Sequence, residues 1–277
     1  MDAWIRFRKN RLALIGLALV LVLVLTATLA PWLAVHDPTR QSLIEKRARP
    51  GAKYLLGADE FGRDILSRVI YGSRVALLVG VLSVMIALVG GLVLGTAAGF
   101  TGGWLDALMM RLVEILLAFP YLLLALAIVA MLGPGVLNTT LAVGIWGVPA
   151  VTRMVRGSVL ALRETEYVGA ARALGAPAPA VLRRHILPNV LPGLVVYATL
   201  FMANAILLEA ALSFLGLGVQ PPTASWGLMV STGRDVLLVA PHVATVPGLA
   251  IMVAVLGFNL VGDGLRDALD PRLEGAR

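Results

Sequence analysis

The chain has 277 residues, 59% of them hydrophobic and only 14% charged, with a mean hydropathy of +0.89. Soluble domains carry about 25% charged residues, so these values exclude both a water-soluble enzyme and a disordered chain. The formal charge of +7 is read as basic loops facing an anionic inner leaflet, not as nucleic-acid binding.

At about 20 apolar residues per crossing, the length accommodates about six transmembrane helices and one modest loop. An all-α polytopic membrane protein is therefore predicted, with no separate soluble domain. The first residues form a basic stub, Arg6, Arg8, Lys9 and Arg11, followed by an apolar run from Leu12 to Val35. A signal peptide would have an apolar core of about 7–15 residues and a small-residue exit. Here the run is longer, and Pro31 follows Ala30 where cleavage would fall. Residues 1–35 are read as a cytoplasmic stub and an uncleaved first span.

Residues 36–74 are the one long polar stretch, punctuated by Pro38, Pro50, Gly51, Gly57 and Gly62, and are read as extracytoplasmic. Asp59, Arg63, Asp64 and Arg68 alternate in sign there. They are read as salt bridges along a short outer helix, with substrate contact as the alternative. Further apolar runs at 75–99, 108–132, 136–157, 189–212 and 241–263 complete six spans, so residues 75–277 form a five-helix core. This topology puts fourteen basic residues inside and nine outside. The positive-inside bias favours both termini in the cytoplasm, with the 36–74 segment pulling against it.

Pro120, Pro149, Pro192 and Pro247 fall within these runs, which neighbouring helices can accommodate. Gly91, Gly95 and Gly99 recur every four residues, on one helix face, where small residues let another backbone approach closely. They are read as a packing seam.

Catalytic patterns are missing. There is no P-loop, no H-E-x-x-H and no G-x-S-x-G elbow. The three histidines, His36, His185 and His242, are scattered, and there is no cysteine, which removes disulfides and thiolate sites together. No metal site is predicted. The acids within the apolar runs are Glu114, Glu209 and Asp263. Glu114 pairs with Arg111 at i,i+3, and Glu209 and Asp263 fall near span ends, so the three read as interfacial or packing groups, not a proton relay.

The informative stretch is Arg163–Asn189, RETEYVGAARALGAPAPAVLRRHILPN. Two short helices fit it. The first, about 164–174, stops at Gly175, a left-handed cap. The second begins at Pro177 or Pro179 and runs to His185, and Pro188 opens the next span. Ala170, Ala171 and Ala173 supply a small-residue surface. Such an elbow between two spans suits force transmission from a soluble subunit, and an ordinary loop is the plain alternative.

The residues Ala170-Ala171, Gly175 and Leu187-Pro188 resemble the EAA loop of ABC-importer permeases, which docks onto the ATP-hydrolysing subunit. Gly169 stands where the general motif has its glutamate, and Glu166 lies a turn earlier; peptide-type permeases commonly lack that glutamate. YLLGADEFGRDILSRVIYGSRVALLVG (54–80), GGWLDALMMRLVEILLAFP (102–120), EAALSFLGLGVQPPTASWG (209–227) and NLVGDGLRDALDPRL (259–273) resemble further segments of the same family. Nearly the whole chain after residue 54 is similar to the C-type permease subunit of dipeptide/oligopeptide/nickel ABC importers.

The resemblance implies the type I ABC-importer permease fold, with Glu166, Ala170, Ala171, Gly175, Leu187 and Pro188 in an ATPase coupling loop at 163–188. It implies a second homologous permease, two ABC ATPases and an extracytoplasmic solute-binding protein in the bacterial inner membrane. ATP and Mg belong on the partner ATPases, with no cofactor and no catalytic residue in this chain. Glu209, Gly216, Gly218 and Trp226 form either a structural cap or an outer-loop contact with the solute-binding protein. Trp226 and Trp104 read as aromatic anchors at the membrane boundaries. Small peptides are the expected cargo, with nickel or glutathione as alternatives. An ion-gradient-driven carrier and an intramembrane enzyme are the rival classes; the first needs buried mid-span charge that is not seen, and the second needs a catalytic pair for which the candidates lie too far apart in depth and sequence.

Overall fold

In hydrocarbon a chain must satisfy its own backbone hydrogen bonds, so long apolar runs become long helices. The computed structural model describes residues 2–269; residues 270–273, the end of the last motif, lie outside the described residues. The helices are α1 (Asp2–Lys9), α2 (Arg11–Thr28), α3 (Ala30–Leu33), α4 (Ile65–Thr101), α5 (Gly103–Ala118), α6 (Tyr121–Leu132), α7 (Val136–Arg163), α8 (Glu166–Ala173), α9 (Ala178–Val181), α10 (Leu187–Phe214), α11 (Trp226–Arg234) and α12 (His242–Leu269). Among the described residues no strand forms, only an isolated bridge between Ala58 and Asp64.

Four helical runs are long and apolar enough to cross a membrane: α2, α4, the continuous run Ala178–Phe214, and α12. The bent pair α5–α6 makes a fifth if taken as one span. Six were expected, and α7 accounts for the difference. Its 28 residues reach about 42 Å, but they include Thr139, Thr140, Thr152, Arg153 and Arg156. The three threonines are buried, each returning its hydroxyl to a carbonyl one turn back. A helix sheathed by its neighbours does not need a lipid-compatible surface.

Two boundaries differ from the sequence reading. First, the run expected at 108–132 is not one straight helix. It breaks at Phe119-Pro120, where α5 and α6 meet at 95°. Pro120 has no N–H and pushes the preceding residue out of the helical region; Phe119 is extended, at φ −76° and ψ 134°. Pro149, Pro192 and Pro247 stay inside their helices. Second, α4 begins at Ile65, ten residues before the expected start at 75, and runs for 37 residues. Asp64 caps it by accepting from the Ser67 amide (3.0 Å) and hydroxyl (2.6 Å).

The core is built around α4 and α7, which pack along most of their length. Gly91, Gly95 and Gly99 all face α7. A Cβ on Gly91 would lie 2.3 Å from Val151 Cβ, one on Gly95 2.6 Å from the Thr152 carbonyl oxygen, and one on Gly99 3.0 Å from the Arg156 carbonyl oxygen. Elsewhere α10 packs on α12 and α4, and α2 on α12.

The polar segment 36–64 is folded onto the start of α4, with no short outer helix carrying the alternating charges. Instead Arg63 Nε donates to Asp59 at 2.6 Å, Arg68 Nε lies 3.5 Å from the same carboxylate, and Arg68 Nη1 donates to the Pro38 carbonyl at 2.9 Å. All four charged groups of the alternation are buried, so the cluster holds the loop down and presents little to a solute. Nearby, the Lys53 ammonium and the Tyr54 hydroxyl both bond Glu45. These contacts, Lys53 foremost, hold the Glu45 carboxyl below the usual carboxylate range, and the bond to Glu45 pushes the Tyr54 phenol up.

Asp59→Asn takes the shared carboxylate from two buried guanidinium groups and leaves Arg63 only Glu60, at 3.5 Å. Breaking a buried pair from one side costs about 3–5 kcal/mol, so a clear fall in the thermal midpoint of the detergent-purified protein is expected. An unchanged midpoint would remove this cluster from any account of how the loop is held.

Candidate functional site

The elbow between α7 and α10 starts at Thr165, whose hydroxyl donates to the Leu162 carbonyl at 2.6 Å, and α8 follows. At its end the Gly175 N–H donates to Arg172 O (2.9 Å) and the Ala176 N–H to Ala171 O (3.1 Å). This paired closure needs a left-handed residue. Gly175 supplies it at φ +84°, and nothing lies within 4 Å of where its Cβ would be. The backbone angle alone demands glycine.

Beyond the turn, α9 passes through one wide turn, Leu182–Ile186, directly into α10. Pro188 therefore does not reopen the helix after a gap. The wide turn, closed by the Leu187 N–H on the Leu182 carbonyl, absorbs the proline in a continuous helix.

Three apolar side chains root the elbow: Val168, Val181 and Ile186 are fully buried. Ala171 lies half-buried beside them, while Glu166, Gly169, Ala170, Ala173 and Gly175 are exposed. The outward small face of α8 is thus Gly169, Ala170 and Ala173. Leu174 caps it at 89% exposure, an unpacked apolar side chain at the tip of a polar loop. Leu187 is half-buried and Pro188 exposed where α10 begins.

Cationic side chains tie this elbow to the α4–α5 corner. Arg156 on α7 pairs with Asp106 on α5 through two bonds, Nη2 to Oδ2 at 2.6 Å being one. Arg163 Nη1 donates to the Gly99 carbonyl at 3.1 Å, and the Arg172 guanidinium lies over the Phe100 ring at 5.9 Å. Of these, Arg172 joins α8 itself to the end of α4, Arg163 joins the end of α7 to it, and Arg156 joins α7 to α5. The start of α2 lies at this same end with the end of α12, joined by Asn10 and Asp267 at 3.4 Å.

The opposite end holds the 209–227 stretch. Glu209 is buried and accepts from the Ser213 hydroxyl (2.8 Å) and the Ser225 hydroxyl (2.9 Å). Ser213 Oγ in turn accepts from the Val219 amide at 3.0 Å. Gly218 is buried because a Cβ would lie 2.1 Å from Ser213 Oγ. Trp226 is only 4% exposed, donates to the Val69 carbonyl at 2.9 Å, and lies against Gly72. Only Gly216, at φ +78°, is exposed. Of the two alternatives for these four residues, the burial and hydrogen bonds of Glu209, Gly218 and Trp226 are those of a structural cap: they knot the loop together from inside. Trp226 is likewise no boundary anchor, whereas Trp104 is 77% exposed.

Residues 91–275 match the family described as the binding-protein-dependent transport system inner membrane component. The chain belongs to this family. Residues 1–50 also match the N-terminal transmembrane domain of oligopeptide transport permease C. Among relatives, the di/tripeptide transport system permease protein DppC of Pseudomonas aeruginosa is 47% identical, over 99% of this chain and 93% of that protein. The dipeptide transport system permease protein DppC of Alkalihalophilus pseudofirmus is 45% identical, over 99% and 90%. The glutathione transport system permease protein GsiD of Escherichia coli is 44% identical, over 99% and 91%. A chain from inward-facing conformations of the MetNI methionine ABC transporter shares the fold, with a TM-score of 0.61 at 21% identity, covering 73% of this chain and 97% of that one.

The protein is thus a multi-pass inner-membrane permease subunit of an ABC importer, with the type I permease fold. In this permease, sequence reasoning located the elbow but missed its tethers. Nothing in the spacing of Asp106, Arg156, Arg163 and Arg172 names their partners, and their contacts join residues as far as 72 positions apart. The one local signal was three arginines, Arg153, Arg156 and Arg163, at helical spacing in an otherwise apolar run.

Proposed function

We propose that this permease moves small peptides into the cytoplasm by alternating access, driven by ATP and Mg on two separate ATPases docked at the 163–188 elbow. A second, homologous permease completes the path, and an extracytoplasmic solute-binding protein delivers the cargo. The chain itself has no catalytic role. The observation that carries this reading is the elbow: a small, exposed helical face rooted by three buried side chains, continuous with α7 and α10 and tethered to α4. The elbow end, which also holds the start of α2 and the end of α12, is then cytoplasmic. ATP shifts the equilibrium because the docked ATPase pair binds it more tightly in one state than in the other.

Cargo follows from the relatives. Their names specify dipeptides, di/tripeptides and glutathione, all solutes with peptide bonds. Glutathione is the second reading, favoured by 44% identity over nearly the whole chain. Among the described residues no three His, Cys, Asp or Glu side chains gather to hold a metal ion.

The test is purification of the tagged permease from its own cells, followed by uptake in proteoliposomes. A second permease and two ATPases are expected to co-elute. With the solute-binding protein and ATP added, labelled dipeptide is expected to accumulate, and glutathione to compete weakly. A chain that elutes alone and transports without ATP belongs to another class.

A further inference from the structure

An open groove of about 260 Å³ lies between α6, α7 and α10, lined by Tyr121, Trp146, Asn204, Leu207, Leu208 and Ala211. Asn204 lies about 25 Å along α10 from Leu187 and about 15 Å from Phe214, well inside the span. Its side chain is exposed on the surface of this chain. An exposed amide at that depth is costly against lipid. The exposed face of α4 obeys that restriction: Leu78, Val81, Leu82, Met85, Val89 and Val93. Asn204 breaks it, so its face meets something other than hydrocarbon.

The surroundings narrow what that is. Four rings run in a ladder from α10 across α7 to α6. Tyr197 stacks on Phe201 at 5.8 Å, Phe201 meets Trp146 at 5.3 Å, and Trp146 meets Tyr121 at 5.5 Å. Aromatic residues are only 6% of the chain, so this concentration is specific to the site. The ladder is built in: Gly147 leaves room for Phe201, whose Cζ would lie 2.3 Å from an added Cβ. Asn204 donates one amide hydrogen to the Leu200 carbonyl at 3.0 Å, which leaves its oxygen and second hydrogen uncommitted. One donor and one acceptor beside flat apolar faces match a planar amide group. Aromatic walls with a few placed polar groups are what small-molecule sites between helices look like.

We propose that Asn204, Tyr121 and Trp146, with Phe201 and Tyr197 packed behind Trp146, form this chain's half of a solute site in the membrane. Asn204 pairs with a peptide group of the cargo, and the Tyr121 and Trp146 rings hold its side chains. The proposal rests on the peptide-import reading and names where in the chain selectivity is added after the solute-binding protein.

The test uses the whole complex in proteoliposomes. Because the chain has no cysteine, Asn204→Cys introduces a single thiol whose labelling is read on this chain. A water-soluble maleimide is expected to label it at least 10-fold faster than Val89→Cys on α4, and dipeptide transport conditions are expected to slow that labelling. Asn204→Leu is expected to raise the dipeptide concentration for half-maximal uptake roughly 3–10-fold, with Asn204→Gln largely restoring uptake. Labelling no faster than Val89→Cys in every nucleotide state would overturn the site, as would wild-type uptake by Asn204→Leu. Labelling slowed by a transported solute other than a peptide, with dipeptides inert, would leave the site standing and remove the peptide reading instead.

Discussion

Ala170→Trp is expected to release the ATPases from the purified complex and to abolish ATP-driven uptake, while the permease itself keeps its thermal midpoint. Ala170 lies on the exposed face of α8 with Gly169 and Ala173, so an indole there projects away from the fold. A docking partner that fits a surface of small side chains meets a bulky ring, and tight interfaces tolerate overfilling poorly. Ala171→Trp is a less clean probe. Ala171 is half-buried and packs against the core that contains Val168 and Ile186, so the substitution disturbs the elbow's own packing. Co-elution of the ATPases at wild-type ratio with Ala170→Trp would show that α8 is not the docking element. A second elbow variant, Gly175→Ala, acts through the backbone. It places a Cβ on a residue at φ +84°, where L-residues cost about 1–2 kcal/mol, and it is expected to weaken docking without removing it.

Gly95→Val is expected to prevent the chain from folding to a stable state. An added Cβ would lie 2.6 Å from the Thr152 carbonyl oxygen and 2.8 Å from Val155 Cβ. The first neighbour is backbone and cannot swing aside, so α4 and α7 must part. Overpacking typically costs about 1–3 kcal/mol. Here the cost rises further because Gly91 and Gly99 lie in the same contact and the seam opens along its length. Gly157→Ala on α7 is the matched control: nothing lies within 4 Å of its added Cβ, and it exchanges glycine for a better helix former. The measurement is the fluorescence-detected thermal midpoint in detergent. A Gly95→Val midpoint close to that of Gly157→Ala would mean the two helices do not meet at this seam.

These two variants also separate what could be read locally from what could not. The elbow was legible because its signals are short-range: an alanine pair, a glycine four positions on where a helix must stop, and prolines at the next first turn. Gly91, Gly95 and Gly99 were legible as a face because the helical period puts four-residue neighbours in a row. Their partner was not, since nothing in 91–99 names α7. Similarly, Ala170 and Ala171 looked equivalent as letters. The burial of Val168 rotated α8 so that one alanine faces outward and the other inward.

The expectations that changed share a cause. Pro120 resembled Pro149, Pro192 and Pro247 in sequence, yet it alone ends its helix. Trp226 and Trp104 both looked like boundary anchors, yet Trp226 is buried with its N–H on the Val69 carbonyl, 157 residues away. Asp59 and Arg68 looked like the surface of a short helix and lie instead beneath a loop.

Hydropathy and composition by themselves determined that this protein lies in a membrane and is built of helices, because the free energy of lipid contact is set residue by residue. The elbow at 163–188 and the glycine seam were likewise written in local spacing. Tertiary structure alone decided which polar groups are hidden, where Pro120 breaks the chain, and that Tyr121, Trp146 and Asn204 line one groove. The reason is that burial is a property of pairs: a side chain is shielded or exposed according to which distant helix packs on it, and no local pattern encodes that partner.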